Sequence, residues 1–134
     1  ETDIDDIAAV AISSGINGLI VSNTTIGRPN FLKGNHRAEN GGLSGKPLFA
    51  PSTKILSEMY KRCAGKLPLI GVGGISSGED AYRKIRSGAS LVQLYTALVY
   101  HGPRLITDIK RDLANFLKRD GFSTITDAIG VDVK

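Results

Sequence analysis

The chain has 134 residues, 41% hydrophobic and 22% charged, with 17 Lys and Arg against 13 Asp and Glu for a net charge of +4. That length allows one domain with a real core, and the mix reads as an ordinary globular chain. The mild basic excess is scattered, there is no Trp, and no apolar run reaches the roughly 18 residues of a membrane span, which argues against a nucleic-acid surface and against a buried membrane segment.

The acidic opening, "ETDIDDIAAV", is neither a signal peptide nor a transit peptide. Without an initiator Met, the sequence reads as a piece of something longer. Ile4, Ile7, Ala8 and Ile12 have helical spacing, which stops at Gly15. "GLIVS" (Gly18 to Ser22) is a short β-branched run, as a buried strand should be. A Gly-, Asn- and Pro-rich segment follows from Asn23 to about Ala50 and ends in "GGLSGKPL". Pro51 suits the first turn of a helix running to about Cys63. Cys63 is the single cysteine, so an internal disulfide is excluded and a reducing compartment fits. Its helical spacing from Ile55, Leu56, Met59 and Tyr60 makes it a buried small side chain rather than a nucleophile.

"LPLIGV" (Leu67 to Val72) is the second strand and "SSGEDAYRKIRSG" the next helix, with a capping box from Ser76 and Glu79 or from Ser77 and Asp80. Gly88 stops that helix. "ASLVQL" is the third strand. "GPRLITDIKRDLANFLKRDG" is the last helix, with Leu105, Ile106, Ile109, Leu113, Phe116 and Leu117 on one face. The tail, "FSTITDAIGVDVK", reads equally as a short helical turn or an extended arm. Strands joined through helices lie parallel, and both faces of such a sheet are expected to be covered. The α/β candidates are a doubly wound sheet or part of a (β/α)8 barrel, which takes about 250 residues when complete.

Four segments carry chemistry. "GVGGISSGEDA" follows a strand and opens a helix, so its glycines let a ligand approach the backbone and its free N–H groups favour an anion. It lacks the last glycine of a dinucleotide fingerprint and the Gly-Lys-Ser/Thr of a P-loop. A sharp turn without ligand is the alternative. "QLYT" ends the next strand, where Tyr95 and Thr96 offer N–H groups and a hydroxyl. Two consecutive turns of this kind match the phosphate site of a barrel's last two loops. "VSNTT" loads the first strand's end with polar groups. Asn23 presents a donor and an acceptor together, which suits a planar ring with C=O and N–H edges; an Asx turn is the alternative. In "ENGGLSGKPL", Gly41, Gly42 and Gly45 let the chain lie flat against a ligand, or simply make a flexible loop. His36 and His101 have no partners at metal-ligand spacing, so no metal site is read.

Together, "VSNTT", "GGLSGKPL", "IGVGGISSGEDA" and "GASLVQLYTALVYHGP" resemble the dihydroorotate dehydrogenase family, in its membrane-associated, quinone-using class. The resemblance covers essentially the whole chain, in order. It implies a (β/α)8 TIM barrel whose strands six, seven and eight lie here, with residues 1–134 as the C-terminal half of one FMN-binding domain and no second domain. It implies FMN, oxidation of dihydroorotate to orotate in pyrimidine synthesis, and ubiquinone as electron acceptor. Carried over residue by residue, Ser22, Gly45, Gly74, Tyr95 and Thr96 would contact FMN. Ser44, Gly73 and Leu94 would line the same site, and Asn23 and Thr24 would bind the orotate ring. The family's base serine, its flavin-touching lysine and the helices forming its quinone tunnel and membrane contact have no counterpart here. The expectations are therefore an inactive isolated chain, self-association through open strand edges, and, by likeness to eukaryotic members, a mitochondrial inner-membrane address. Another FMN or phosphate-binding barrel is the alternative, such as the inosinate dehydrogenase group, although that group needs a cysteine loop. A catalytically inactive α/β binding scaffold is the other.

Overall fold

The computed structural model describes residues 2–133. Helix α1 (Thr2–Ser13) leads into β1 (Leu19–Val21); α2 (Phe49–Cys63) follows a 3-10 turn at Lys46–Leu48 and leads into β2 (Leu69–Val72). Then come α3 (Gly78–Arg86), β3 (Leu91–Gln93), a short α4 (Thr96–His101) and α5 (Arg104–Arg119). The strands form one parallel sheet in the order β1-β2-β3, with Leu19 opposite Leu69 and Gly71 opposite Val92. Parallel pairing in chain order is what strand–helix–strand connections impose.

The helices share one side of this sheet. Helix α1 packs on α2, α2 on α3, and α3 along α5. Leu69 and Val21 enter a core with Leu56, Met59, Cys63, Ile85 and Ala89. A smaller core joins Ile75, Ala81, Ala97, Leu105 and Ile109. Cys63 is fully buried, as its spacing predicts, and burial raises its thiol pKa. On the α3–α5 seam Tyr82 stacks on Phe116 at 5.4 Å between centroids and donates its hydroxyl proton to Asp120 at 2.8 Å.

The expectation of two covered faces is met on one only. Side chains alternate along a strand, so Leu69 and Gly71 meet the helices while Ile70 and Val72 turn away. On that second face Ile20 and Leu91 are 53% and 62% exposed. The physical reason is barrel geometry. A barrel's inner face is filled by layers of side chains drawn from strands all round the ring, and three strands supply only part of each layer. One helix layer outside and an apolar inner face select the barrel over the doubly wound sheet.

Local expectations are refined in three places. Ser77 is the cap of α3, accepting the Asp80 amide at 3.1 Å, while the Asp80 carboxylate accepts from both the amide and hydroxyl of Ser76 at 3.0 Å, so both serines take part. The expected last helix is α5, and an additional short helix, α4, precedes it, the two separated at Gly102 and Pro103, where Gly102 has φ +69°. The ambiguous tail makes a 3-10 turn at Thr126–Ala128 and then runs back over α3. There the Gly130 amide donates to Ile85 O at 3.1 Å and Arg86 pairs with Asp132.

Candidate functional site

The three strands all deliver their C-terminal ends to one cleft of about 550 Å3. Ser22, Asn23 and Thr24 follow β1; Gly73 and Gly74 follow β2; Leu94, Tyr95 and Thr96 follow β3. Ser44 and Gly45 arrive from the arm between β1 and α2. All ten residues picked from the sequence therefore line the same space. Reading the sequence missed Lys46, Leu48, Ile75, Ala97, Tyr100 and His101 as further lining residues. All but Ile75, which lies in the turn between β2 and α3, are placed by the 3-10 turn and by α4, short helical elements that carry no strong sequence signal.

The glycines of the second turn have a different cause from the one the sequence suggests. Gly73 and Gly74 have φ of +107° and +76°, where an L side chain is strained. A Cβ on Gly74 would sit 2.5 Å from the Phe49 backbone nitrogen, and one on Gly73 would sit 2.8 Å from Ser52 Oγ. Their missing side chains make room for the first turn of α2. The protein's own helix demands the glycines, and the ligand side of the turn benefits from the backbone this exposes.

Behind the turn lies a pair that sequence reading passed over. Lys84 and Ser52 are both 0% exposed. Lys84 Nζ donates to Ser52 Oγ at 2.6 Å and approaches Val72 O at 3.5 Å. Ser52 Oγ lies 3.1 Å from both Gly73 O and Phe49 O. The ammonium also stands 5.2 Å from the Phe49 ring centroid, a cation–π contact. Burial pushes the Lys84 pKa down to about 8, and the Asp80 carboxylate opposes this in part. In sequence Lys84 is one of many scattered lysines; only its place one helical turn after the core residue Ala81 hints at burial.

The arm from Asn23 to Lys46 closes the other side. Thr25 and Leu43 exchange backbone hydrogen bonds of 3.2 and 2.7 Å in an isolated antiparallel bridge. Gly42 packs on Thr24 so closely that a Cβ there would overlap it. The guanidinium of Arg28 donates to Glu39 O and Gly41 O at 2.8 and 2.7 Å, tying the arm's two ends together. Thr96 Oγ1 donates to Ser44 Oγ at 3.0 Å, which joins the arm to the start of α4. Asn23 Oδ1 accepts the adjacent Thr24 amide at 2.7 Å, which is not the bond to the second residue on that an Asx turn makes, and Asn23 lines the cleft.

Hydroxyls of Ser22, Ser44, Tyr95 and Thr96 thus share the cleft with backbone turns, above apolar Leu48, Ile75 and Leu94. An apolar floor with a few placed polar groups suits a cofactor-sized ligand, and this volume lies in the usual range for such sites. Among the described residues no group of three or more His, Cys, Asp or Glu could hold a metal ion, and no helix is long and apolar enough to cross a membrane.

The family description "Dihydroorotate dehydrogenase" matches residues 1–117. A dihydroorotate dehydrogenase (quinone) of Xanthobacter autotrophicus is 57% identical over 129 residues, 96% of this chain and 36% of the relative. The mitochondrial dihydroorotate dehydrogenase (quinone) of Arabidopsis thaliana is 59% identical over 131 residues, 97% of this chain and 28% of the relative. The crystal structure of the Eimeria tenella DHODH in complex with ferulenol matches with a TM-score of 0.93 at 48% identity, covering 98% of this chain and 35% of that one. The chain spans about a third of the length of the curated relatives it matches.

Proposed function

The chain belongs to the dihydroorotate dehydrogenase family, its three strands being part of a (β/α)8 barrel, and on that premise we propose that it supplies part of the FMN and orotate sites of a quinone-using dihydroorotate dehydrogenase. The observation that carries this is the convergence of ten residues from three neighbouring strand ends and one arm on a single cleft. FMN, when bound, would accept the hydride that dihydroorotate loses on becoming orotate and hand the electrons to a quinone. This chain's residues do the positioning. The Gly73–Gly74 and Tyr95–Thr96 turns hold the phosphate; Ser22, Ser44, Gly45 and Leu94 line the flavin; Asn23 and Thr24 bind the pyrimidine edge. The proton lost with the hydride goes to a base outside residues 1–134, so the isolated chain should show no dihydroorotate-dependent dye reduction. Residues 1–134 form the C-terminal half of the barrel domain, and the exposed edges of β1 and β3 should make the isolated chain self-associate in light scattering.

The decisive test is a hybrid in which residues 1–134 replace the matching segment of the Arabidopsis relative. It should purify yellow, bind orotate with a change in the flavin spectrum, and reduce a quinone with dihydroorotate. A folded but colourless hybrid, with no rise in thermal midpoint on adding FMN, would support an inactive scaffold instead. For a eukaryotic source the proposed address is the mitochondrial inner membrane; the names of the Arabidopsis and mouse relatives support the mitochondrial part of it. Cell fractionation checks it, because bacterial relatives match to a similar extent.

A further inference from the structure

We propose that Ser52 and Lys84 are positioning residues of the cleft's anion-binding turn: the Ser52 hydroxyl, held by Lys84, fixes the Gly73 carbonyl and so aims the Gly74 N–H at the phosphate. This rests on the FMN reading above and adds two residues that never touch the ligand.

A lysine ammonium has donors only, so at 2.6 Å Ser52 Oγ must be the acceptor. The single Ser52 proton is then free for a carbonyl. Phe49 O is already engaged by the Thr53 hydroxyl at 2.6 Å, which leaves Gly73 O as the better partner. In a trans peptide the C=O and the following N–H point in opposite directions. Drawing the Gly73 carbonyl toward Ser52 therefore turns the Gly74 N–H away from the helix layer. Gly74 lines the cleft and Ser52 does not, which on this proposal puts that N–H on the cleft side. Glycine at both positions removes the Cβ atoms that would otherwise restrict this peptide plane, so the partner of its carbonyl helps to set its orientation. A buried clamp on one carbonyl removes that freedom before any ligand arrives, and pre-organised donors bind without a reorganisation cost.

Burying an ammonium is expensive. Its retention beside a turn that needs its plane fixed is what a clamp would require, and a purely apolar contact would serve the core better.

The test uses the hybrid and its Ser52→Ala, Lys84→Met and double variants. Affinities of the apo-proteins for FMN and for riboflavin, which lacks the phosphate, are compared with apo thermal midpoints. Each single variant should bind FMN about tenfold more weakly, riboflavin should bind unchanged, and the double variant should be no weaker than the worse single. The Lys84→Met apo-protein should melt at or above the parent. Equal FMN affinity in all four proteins overturns the proposal. So do equal losses for FMN and riboflavin, or losses that multiply in the double variant. If the parent hybrid binds no flavin, the FMN reading itself has failed, which is a separate result.

Discussion

The Gly71–Gly74 turn and the Asn23–Lys46 arm line the same cleft but are held in different ways. The turn is backed by α2 and α3 so closely that side chains on Gly73 and Gly74 would overlap Ser52 and Phe49, and one on Gly71 would press on Ala89 and Leu56. The arm has almost no buried side chains and is held by backbone bonds and by Arg28. Buried contacts fix one arrangement because a close-packed interior deforms little. Exposed hydrogen bonds contribute less and open locally at small cost. A donor for a fixed phosphate suits the first wall. A segment over which ligands enter and leave suits the second.

The harshest way to break the contrast is Gly74→Val. A β-branched residue at φ +76°, with its Cβ 2.5 Å from the Phe49 nitrogen, should cost about 3–5 kcal/mol in strain and overpacking. The hybrid carrying it should lose flavin on gel filtration; full flavin occupancy would show that the turn has been misread.

Next is the pH response of the buried clamp. Lys84 has a folded pKa of about 8 against an ordinary 10.5. Between those values the unfolded chain binds more protons, so stability should rise with pH across about 8 to 10.5. The full rise is of order 3 kcal/mol. The difference between parent and Lys84→Met, followed by urea unfolding, isolates it; a flat difference would show that the ammonium is solvated.

On the arm, Arg28→Ala should raise amide exchange across residues 29–41 about tenfold while changing global stability by less than about 1 kcal/mol. A large global loss would mean that the arm belongs to the core after all. The smallest effect should come from Asp120, remote from both walls. The Arg119 guanidinium and the Tyr82 hydroxyl hold its carboxyl down at about 2. Its contribution is complete above the ordinary carboxylate range and should fade as pH falls from about 4 to 2. Asp120→Asn should remove that fading without touching flavin retention.

The strands, the order of elements and the cleft's polar rim were legible because they depend on local chemistry. β-branched runs, glycine turns and capping serines act within a few residues of themselves. Strand ends also land on one rim whenever all connections run through helices. What stayed hidden depends on partners distant in sequence. Lys84 finds Ser52 across 32 positions and Arg28 finds Gly41 across 13, and nothing in either neighbourhood marks the pairing. Helix α4 was hidden for another reason. Tyr95 stands at its cap position without a side-chain cap bond, so the usual Ser, Thr, Asp or Asn signal is missing. The glycine run falls on the cleft, and the crowding by α2 that also requires these glycines lies 20 and more positions away in sequence and left no local mark.

The returning tail has a consequence for the order in which the molecule can assemble. Arg86 meets Asp132 across 46 positions, and the Tyr60 hydroxyl reaches Ile129 O across 69. Helices α2 and α3 meet through contacts that span fewer positions than these, but the ring of Tyr60 is pinned between Gly88 and Gly130 only when the tail arrives. Such contacts close the longest loops and come late. On a ribosome making the chain from its N-terminus, the turn that aims at the phosphate would be shaped first, and the seal over α3 would be set last.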